Sequence, residues 1–455
     1  MSSRQDQLHS YQFMIQRVVA ALVLRDTDPA RSPMRRLAGT ALASVLIAAI
    51  GVGAMAVYGA LTGSGRSDWR EAGGVIVEKE TGARYVYRDG TLHPVRNYTS
   101  GLLLVQGGGA TVPVSRSALA GVPRGGPLGI TDAPDSLPAP GQLAGAPWTV
   151  CSTASEGAPP RSALLVGRPP EGGRVLGDDA ILARHPDGGL HLIWHQRRYL
   201  LRDAAVALAA LAATPSQAVP VAPALLNALP AGADLGRITI EGAGRPSPHL
   251  SGARVGDVFV ATVPGGGRQY AVAVRTGLAP ITELQASLLL SGGTNRQVTA
   301  AEIAQGQLVA LQVPDLVPGG PTAPPPGKPQ LVAAAADTVC GVITDDSGVG
   351  QVRYGVAPVE TGGGRPGGGA ELVDHIAIAP GQGAVVEAVA APGAAGGGLM
   401  VVTDLGARHA VADRQVLDWL GYAGVAPTRI PAAVVALVPA GVPLDPAAAE
   451  QPAQS

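Results

Sequence analysis

Cys151 and Cys340 are the only thiols in the chain, and they pose its first chemical question. Two thiols can join as a disulfide, stay reduced in a core, or hold a metal with further ligands. A zinc ion would need more thiolate or imidazole ligands close by, and neither cysteine has them in sequence. Other spacings carry less. His191 and His195 stand four apart, as on a zinc helix, yet the Glu of H-E-x-x-H is missing. Segment 190–194 alternates like a strand, on which the two rings would sit ~13 Å apart. Gly327-Lys328 is the one Gly-Lys pair and Pro329 follows it, so there is no P-loop. Gly362 to Gly367 fit G-x-G-x-x-G in a glycine tract that no helix can follow. No G-x-S-x-G occurs. No catalytic, cofactor-binding or metal-binding residue emerges from these patterns.

The redox state of the cysteines depends on where the chain puts them. Residues 37–61, LAGTALASVLIAAIGVGAMAVYGAL, are uncharged and at ~1.5 Å per residue long enough to cross ~30 Å of hydrocarbon. Arg25, Arg31, Arg35 and Arg36 precede this segment, whereas Arg66 and Arg70 follow it beside Asp68 and Glu71. That bias predicts a cytoplasmic amino terminus and a body outside the cytoplasm, where disulfides persist. The rival is a cleaved signal peptide, since Ala54-Met55-Ala56 is a small-residue site; the apolar run is longer than the ~7–15 residues of a signal core. Before the span, Leu8, Tyr11, Ile15, Val18, Val19 and Leu22 recur at helical spacing over 5–24, giving a membrane-surface helix or a docking helix for a cytoplasmic partner. Asp28, Pro29 and Pro33 interrupt it.

Beyond the span the chain repeats itself. HPVRNYTSGLLL at 93–104 is echoed by APITELQASLLL at 279–290, 186 residues later, and Val150-Cys151 by Val339-Cys340, 189 later. Gly188-Gly189-Leu190 through Leu229-Pro230-Ala231-Gly232 is echoed by Gly397-Gly398-Leu399 through Val438-Pro439-Ala440-Gly441, 209 later. The growing offset places extra loop residues at the Gly tracts 362–364 and 367–369 and at 390–398. The two cysteines are counterparts near an expected pseudo-two-fold axis, so their pairing is the default, with two free buried thiols as the alternative. Strands are expected at 85–87, 190–194, 257–263, 270–274 and 399–403, and helices at 203–212 and 413–420. The fold class is α+β, strand-dominated, with one amino-terminal transmembrane helix and an internally duplicated, pseudo-two-fold outer domain. Its expected organisation is a leader 1–36, span 37–61, linker 62–73, first half 74–240, second half 241–448 and disordered tail 449–455. The second half holds a Pro-rich connector at 313–330 and a Gly-rich insertion at 361–369. Balanced charge, formally −1 with 15% charged residues, argues against a nucleic-acid partner.

Several runs resemble one family. Gln7-Leu8-His9-Ser10-Tyr11 with Arg17 and Arg35-Arg36 look like the cytoplasmic leader of EccB, a membrane component of type VII (ESX) secretion systems. Glu78 through Tyr87, Leu92-His93-Pro94-Val95 with Asn97-Tyr98, Ala133 through Pro138, Trp148 with Val150-Cys151, Leu226 through Pro230, Gly277 through Pro280 and Val339-Cys340 resemble its outer domain. The resemblance implies an elongated outer domain, a central β core flanked by four repeat domains, with a disulfide in the core at Cys151 and Cys340. It implies a structural subunit assembled with an EccC-like ATPase, EccD, EccE and further EccB copies in a bacterial cell membrane, meeting secreted proteins only indirectly. ATP is implied by the family alone; an ATP hydrolase and a cell-wall-binding module are the alternatives. The docking residues would be Leu8, Tyr11, Ile15, Val18 and Leu22.

Overall fold

The computed structural model describes residues 4–24, 33–62, 69–107, 109–155, 157–292, 297–316, 324–332, 338–359 and 372–452. The Gly-rich insertion 361–369 and residues 317–323 of the Pro-rich connector lie outside these. The chain divides into two units, Met1–Ala72 and Gly73–Ser455. The first holds two helices, α1 (Arg4–Leu24) and α2 (Pro33–Thr62). Pro33 opens α2, because a first-turn residue has no intrahelical N–H bond to lose.

The second unit is strand-dominated α+β and is built from one supersecondary plan used four times. Each repeat runs strand, strand, strand, helix, strand, helix. The first is β1 (Val75–Glu78), β2 (Arg84–Arg88), β3 (Thr91–Pro94), α3 (Tyr98–Val105), β4 (Thr111–Val114) and α4 (Arg116–Leu119). Central strands β5 (Trp148–Ser155), β6 (Ala158–Val166) and β7 (Gly172–Val175) follow. The second repeat is β8 (Ile181–Arg184), β9 (Leu190–Trp194), β10 (Arg197–Leu200), α5 (Ala204–Leu211), β11 (Val219–Pro220) and α6 (Pro223–Ala228). The third is β12 (Val258–Thr262), β13 (Arg268–Val274), β14 (Gly277–Ile281), α7 (Glu283–Ser291), β15 (Ala301–Glu302) and α8 (Gln305–Ala310). Next come central strands β16 (Thr338–Asp345), β17 (Gly348–Val356) and β18 (His375–Ala377). The fourth is β19 (Gly383–Val389), β20 (Gly398–Thr403), β21 (Arg408–Val411), α9 (Arg414–Leu417), β22 (Thr428–Pro431) and α10 (Ala432–Val435), with α11 (Pro446–Ala449) after it.

All four sheets share the order third, second, first, fourth, with the fourth strand parallel to the first. In each, a polar side chain just after the third strand accepts a hydrogen bond from the first helical turn: Asn97 from the N–H of Ser100, Asp203 from Val206, Thr282 from Gln285, Asp413 from Val416. Such a cap satisfies a donor that the helix itself cannot, which stabilises it by about 1 kcal/mol. After the second helix the chain returns beside the third strand through matching backbone bonds. The N–H of Gly125, Gly232, Val313 and Gly441 donates to the carbonyl of Leu92, Arg198, Leu278 and Arg408. Three of these returning residues are glycines pressed against a ring: a Cβ on Gly125, Gly232 or Gly441 would run into His93, Tyr199 or His409. The third repeat solves the same site in reverse, with Ala279 on the strand and Val313 on the return.

The central sheet has the order β18-β6-β5-β16-β17-β7. Strands β5 and β16 are antiparallel, with Cys151 directly opposite Cys340, Thr149 opposite Val342 and Thr153 opposite Thr338. The pseudo-two-fold axis therefore passes between the cysteines, and they are joined as a disulfide with Cα atoms 4.0 Å apart. Each half lends its last strand to the other: β7 pairs with β17 antiparallel, β18 with β6 parallel. One face, with Trp148, Val150, Val339 and Ile343, is buried under the second and fourth repeats through Leu225, Ile181, Val386 and Val434. The opposite face carries the disulfide, packed with Leu165, Val356, Val359 and Ala377. At one end the first and fourth repeats share a core (Val75, Leu103, Val401, Leu420). At the other, Leu284 and Leu288 of α7 join the core of the second repeat.

The helix expected over 413–420 is present, as α9 to Leu417 and a wider π-helical turn from Asp418 onward that ends through Gly421 at φ 96°, a conformation that suits glycine. One expectation is corrected. The expected disordered tail is packed as far as Pro452: Ala449 is buried, Glu450 meets Arg88 at 3.0 Å and Pro452 bridges to Leu128.

Gly232→Val should cost about 1–3 kcal/mol by overpacking Tyr199. Combined with Tyr199→Ala, it should cost less than the two single changes summed, by about 0.5–3 kcal/mol in a denaturant-melt cycle. Strict additivity would show that the Tyr199 ring is not what keeps position 232 a glycine. A specific protease site placed at Gly319-Gly320 of the full chain should, once cut, leave one band on a denaturing gel without reductant and two with it, because Cys151 and Cys340 lie on different fragments. Separation without reductant would refute the bond.

Candidate functional site

The sequence patterns that could have been catalytic come apart in the structure. His191 is buried on β9, whereas His195 lies in the following turn, stacks on Trp194 and places Nε2 3.2 Å from Asp178 Oδ1. They do not converge on one ion. Burial, then the Arg198 charge, holds the His191 imidazole below its usual pKa, and at the 209-residue offset the equivalent position of the fourth repeat is Met400. Among the described residues no three His, Cys, Asp or Glu side chains stand close enough to hold a metal. A groove of about 300 Å³ on the third repeat is lined by Arg268, Tyr270, Thr282, Glu283, Gln312 and Pro326. A second, about 250 Å³, lies beside Leu165, Arg168, Pro170, Glu171 and Val359 on the disulfide face. Neither lining contains the Gly-rich loop and lysine of a P-loop.

What the structure does assemble is a body whose repeats are locked to the central sheet and to each other. Arg429 of β22 reaches Asp346 Oδ2 in the β16–β17 turn at 3.0 Å and Glu387 Oε1 on β19 at 3.3 Å, and donates to the Ala394 carbonyl at 2.6 Å. Glu387 also accepts from the Gly397 N–H, so this one cluster ties the Gly-rich 390–397 turn, the fourth repeat and the central hairpin together. Tyr422 donates its hydroxyl to the Pro138 carbonyl across the first and fourth repeats, and burial pushes its pKa above the usual phenol range. Asp374 accepts from both the backbone and the hydroxyl of Ser162, fastening β18 to β6. Within the first repeat the Arg116 guanidinium, 2.6 Å from Glu78, lowers that carboxyl's pKa. The cap residues could have been picked out as Asn, Asp or Thr before an apolar run. The Arg429 cluster could not, because Asp346 is 83 residues from Arg429 and nothing local marks the pair.

The first unit offers a different kind of surface. Gly39–Val57 of α2 is a 19-residue run of mean hydropathy 2.2, none of it buried within the protein. On α1, Leu8, Tyr11, Ile15, Val18 and Leu22 are all exposed, from 46% to 77%. Apolar surface in such a row calls for a cover of lipid or protein.

Known proteins share this arrangement over its length. A family model described as "Type VII secretion system ESX-1, transport TM domain B" matches residues 1–454. "ESX-2 secretion system ATPase EccB2" of Mycobacterium tuberculosis (strain ATCC 25618 / H37Rv) is 32% identical over 351 residues, 74% of this chain and 69% of that protein. "ESX-3 secretion system ATPase EccB3" of Mycolicibacterium smegmatis (strain ATCC 700084 / mc(2)155) is 27% identical over 470 residues, 96% of this chain and 88% of that protein. Among solved structures, a chain of an intact ESX-5 inner membrane complex superposes with a TM-score of 0.67 at 25% identity, covering 100% of this chain and 96% of that one. A chain of the EccB3 dimer from the ESX-3 core complex gives 0.65 at 26% identity, covering 83% and 100%. With a full-length family match and this strand-rich, disulfide-linked body behind one apolar helix, the chain belongs to the EccB family of type VII secretion systems.

Proposed function

We propose that α2 fixes the chain in a bacterial cell membrane with α1 on the cytoplasmic side and the repeat body on the outer side, and that α1 docks on the membrane core through Leu8, Tyr11, Ile15, Val18 and Leu22. The chain is a structural membrane subunit of an ESX secretion complex. The observation that carries this is the superposition on a chain of an ESX-5 inner membrane complex over the whole of its length. The arginine bias before the span supports the orientation, and a disulfide at the dyad suits an oxidising compartment. The EccC-like ATPase, EccD, EccE and further EccB copies are the partners we assign to these surfaces, with secreted proteins handled indirectly.

A second reading, ATP hydrolysis, is favoured by the word ATPase in the relatives' names. The purified chain should turn over no ATP in proportion to its concentration; proportional turnover abolished by one substitution in either groove would establish the second reading instead. Removing residues 1–30 should release the chain from its complex on a native gel while membrane fractionation still finds it in the bilayer. Survival of the complex would end the docking role of α1.

A further inference from the structure

Along α1 the residues Leu8, Tyr11, Ile15, Val18 and Leu22 are spaced three, four, three and four apart. That averages 3.5, the period of a coiled-coil seam, in which alternate spacings of three and four keep one narrow stripe facing a partner helix. Positions beside such a seam set partner choice through charge. Here they are Gln5, Gln7, Gln12, Met14, Val19 and Ala21, and none is charged. Two identical stripes can therefore meet without opposing like charges. A lipid surface suits this helix less well, because surface helices gather Lys and Arg along the polar face. Arg4 and Arg17 are the only Lys or Arg residues in α1, with His9 beside them, and Asp6 offsets one charge.

We propose that α1 pairs, parallel and in register, with α1 of a second copy of this chain, forming a coiled coil of three heptads. This rests on the docking reading above and names its partner. Every copy inserts α2 in the same direction, so all amino-terminal helices lie on one side of the membrane. Leu8, Ile15 and Leu22 then form one set of core layers, and Tyr11 and Val18 the other. Three heptads are marginal for helices free in water. Tethering to the membrane makes the encounter nearly intramolecular and raises the effective concentration. Copies do come together in one relative, whose solved structure is of a dimer.

The test uses the full chain in native membranes, with single cysteines on α1 bridged by a short bifunctional maleimide. The native pair Cys151 and Cys340 is already bonded and does not react. Ile15→Cys and Val18→Cys should give a covalent dimer of the chain in yields several-fold above Phe13→Cys, which lies opposite the seam. A seam-specific adduct with a different protein would overturn the second-copy assignment while leaving docking intact. Equal yields at the three positions, or no adduct at any, would overturn the pairing. Residues 1–30 proving dispensable for the complex would overturn the docking reading independently.

Discussion

The direct opposition of Cys151 and Cys340 on antiparallel strands is the constraint on which the outer body depends. Two strands related by a two-fold axis must run antiparallel, and the residues at the axis must be each other's counterparts. A cysteine at that position is therefore brought to its own duplicate by symmetry alone. The bond closes a loop of 189 residues, which in the chain-entropy description restricts the unfolded state by up to about 5 kcal/mol. Register on one side of it is reinforced by side chains: Thr153 and Thr338 hydroxyls meet at 3.1 Å two residues away. A slip by one residue would turn Trp148 and Val150 out of the core and the sulfurs into it.

Around that axis the four repeats follow one backbone scheme with different side chains. A third strand, a polar cap and a returning segment recur because they satisfy the same backbone donors and acceptors, a demand that constrains few side chains besides the cap. Packing is then solved locally. Where a ring occupies the strand, the return must be glycine; where alanine stands, valine fits. Third-repeat and second-repeat sequences thus diverge while their hydrogen bonds stay the same.

This explains what could be read in advance. Offsets of 186 and 209 were visible because first and third repeats, and second and fourth, are true counterparts with similar side chains, such as the LLL runs ending at Leu104 and Leu290. Strands such as Leu190–Trp194 were legible because they are dense in apolar residues between turn residues. The likeness between first and second repeats was not legible from residues, since it lives in main-chain bonds. Nor was the packed tail: an Ala- and Pro-rich end carries no periodic signal, and Ala449 is held by the first repeat, more than three hundred residues away in sequence. The α1 stripe was legible as a pattern, while the side chains that lock the body, Arg429 with Asp346 and Glu387, depend on a long-range pairing that only the fold supplies.

The same topology decides how load applied at the amino-terminal end of the second unit would enter it. The chain enters its second unit at residue 73 and passes at once into β1, an interior strand hydrogen-bonded to β2 on one side and β4 on the other. Pulling on β1 must shear two sets of bonds together, whereas an edge strand would unzip one at a time. The last described residues close onto the same repeat through Glu450 and Pro452, so both ends of the body are fastened in one lobe. The opposite lobe connects to them through the central sheet, whose two halves are joined by a covalent bond at the axis. Separating the two lobes therefore requires breaking the central sheet at the one place where its halves are covalently joined.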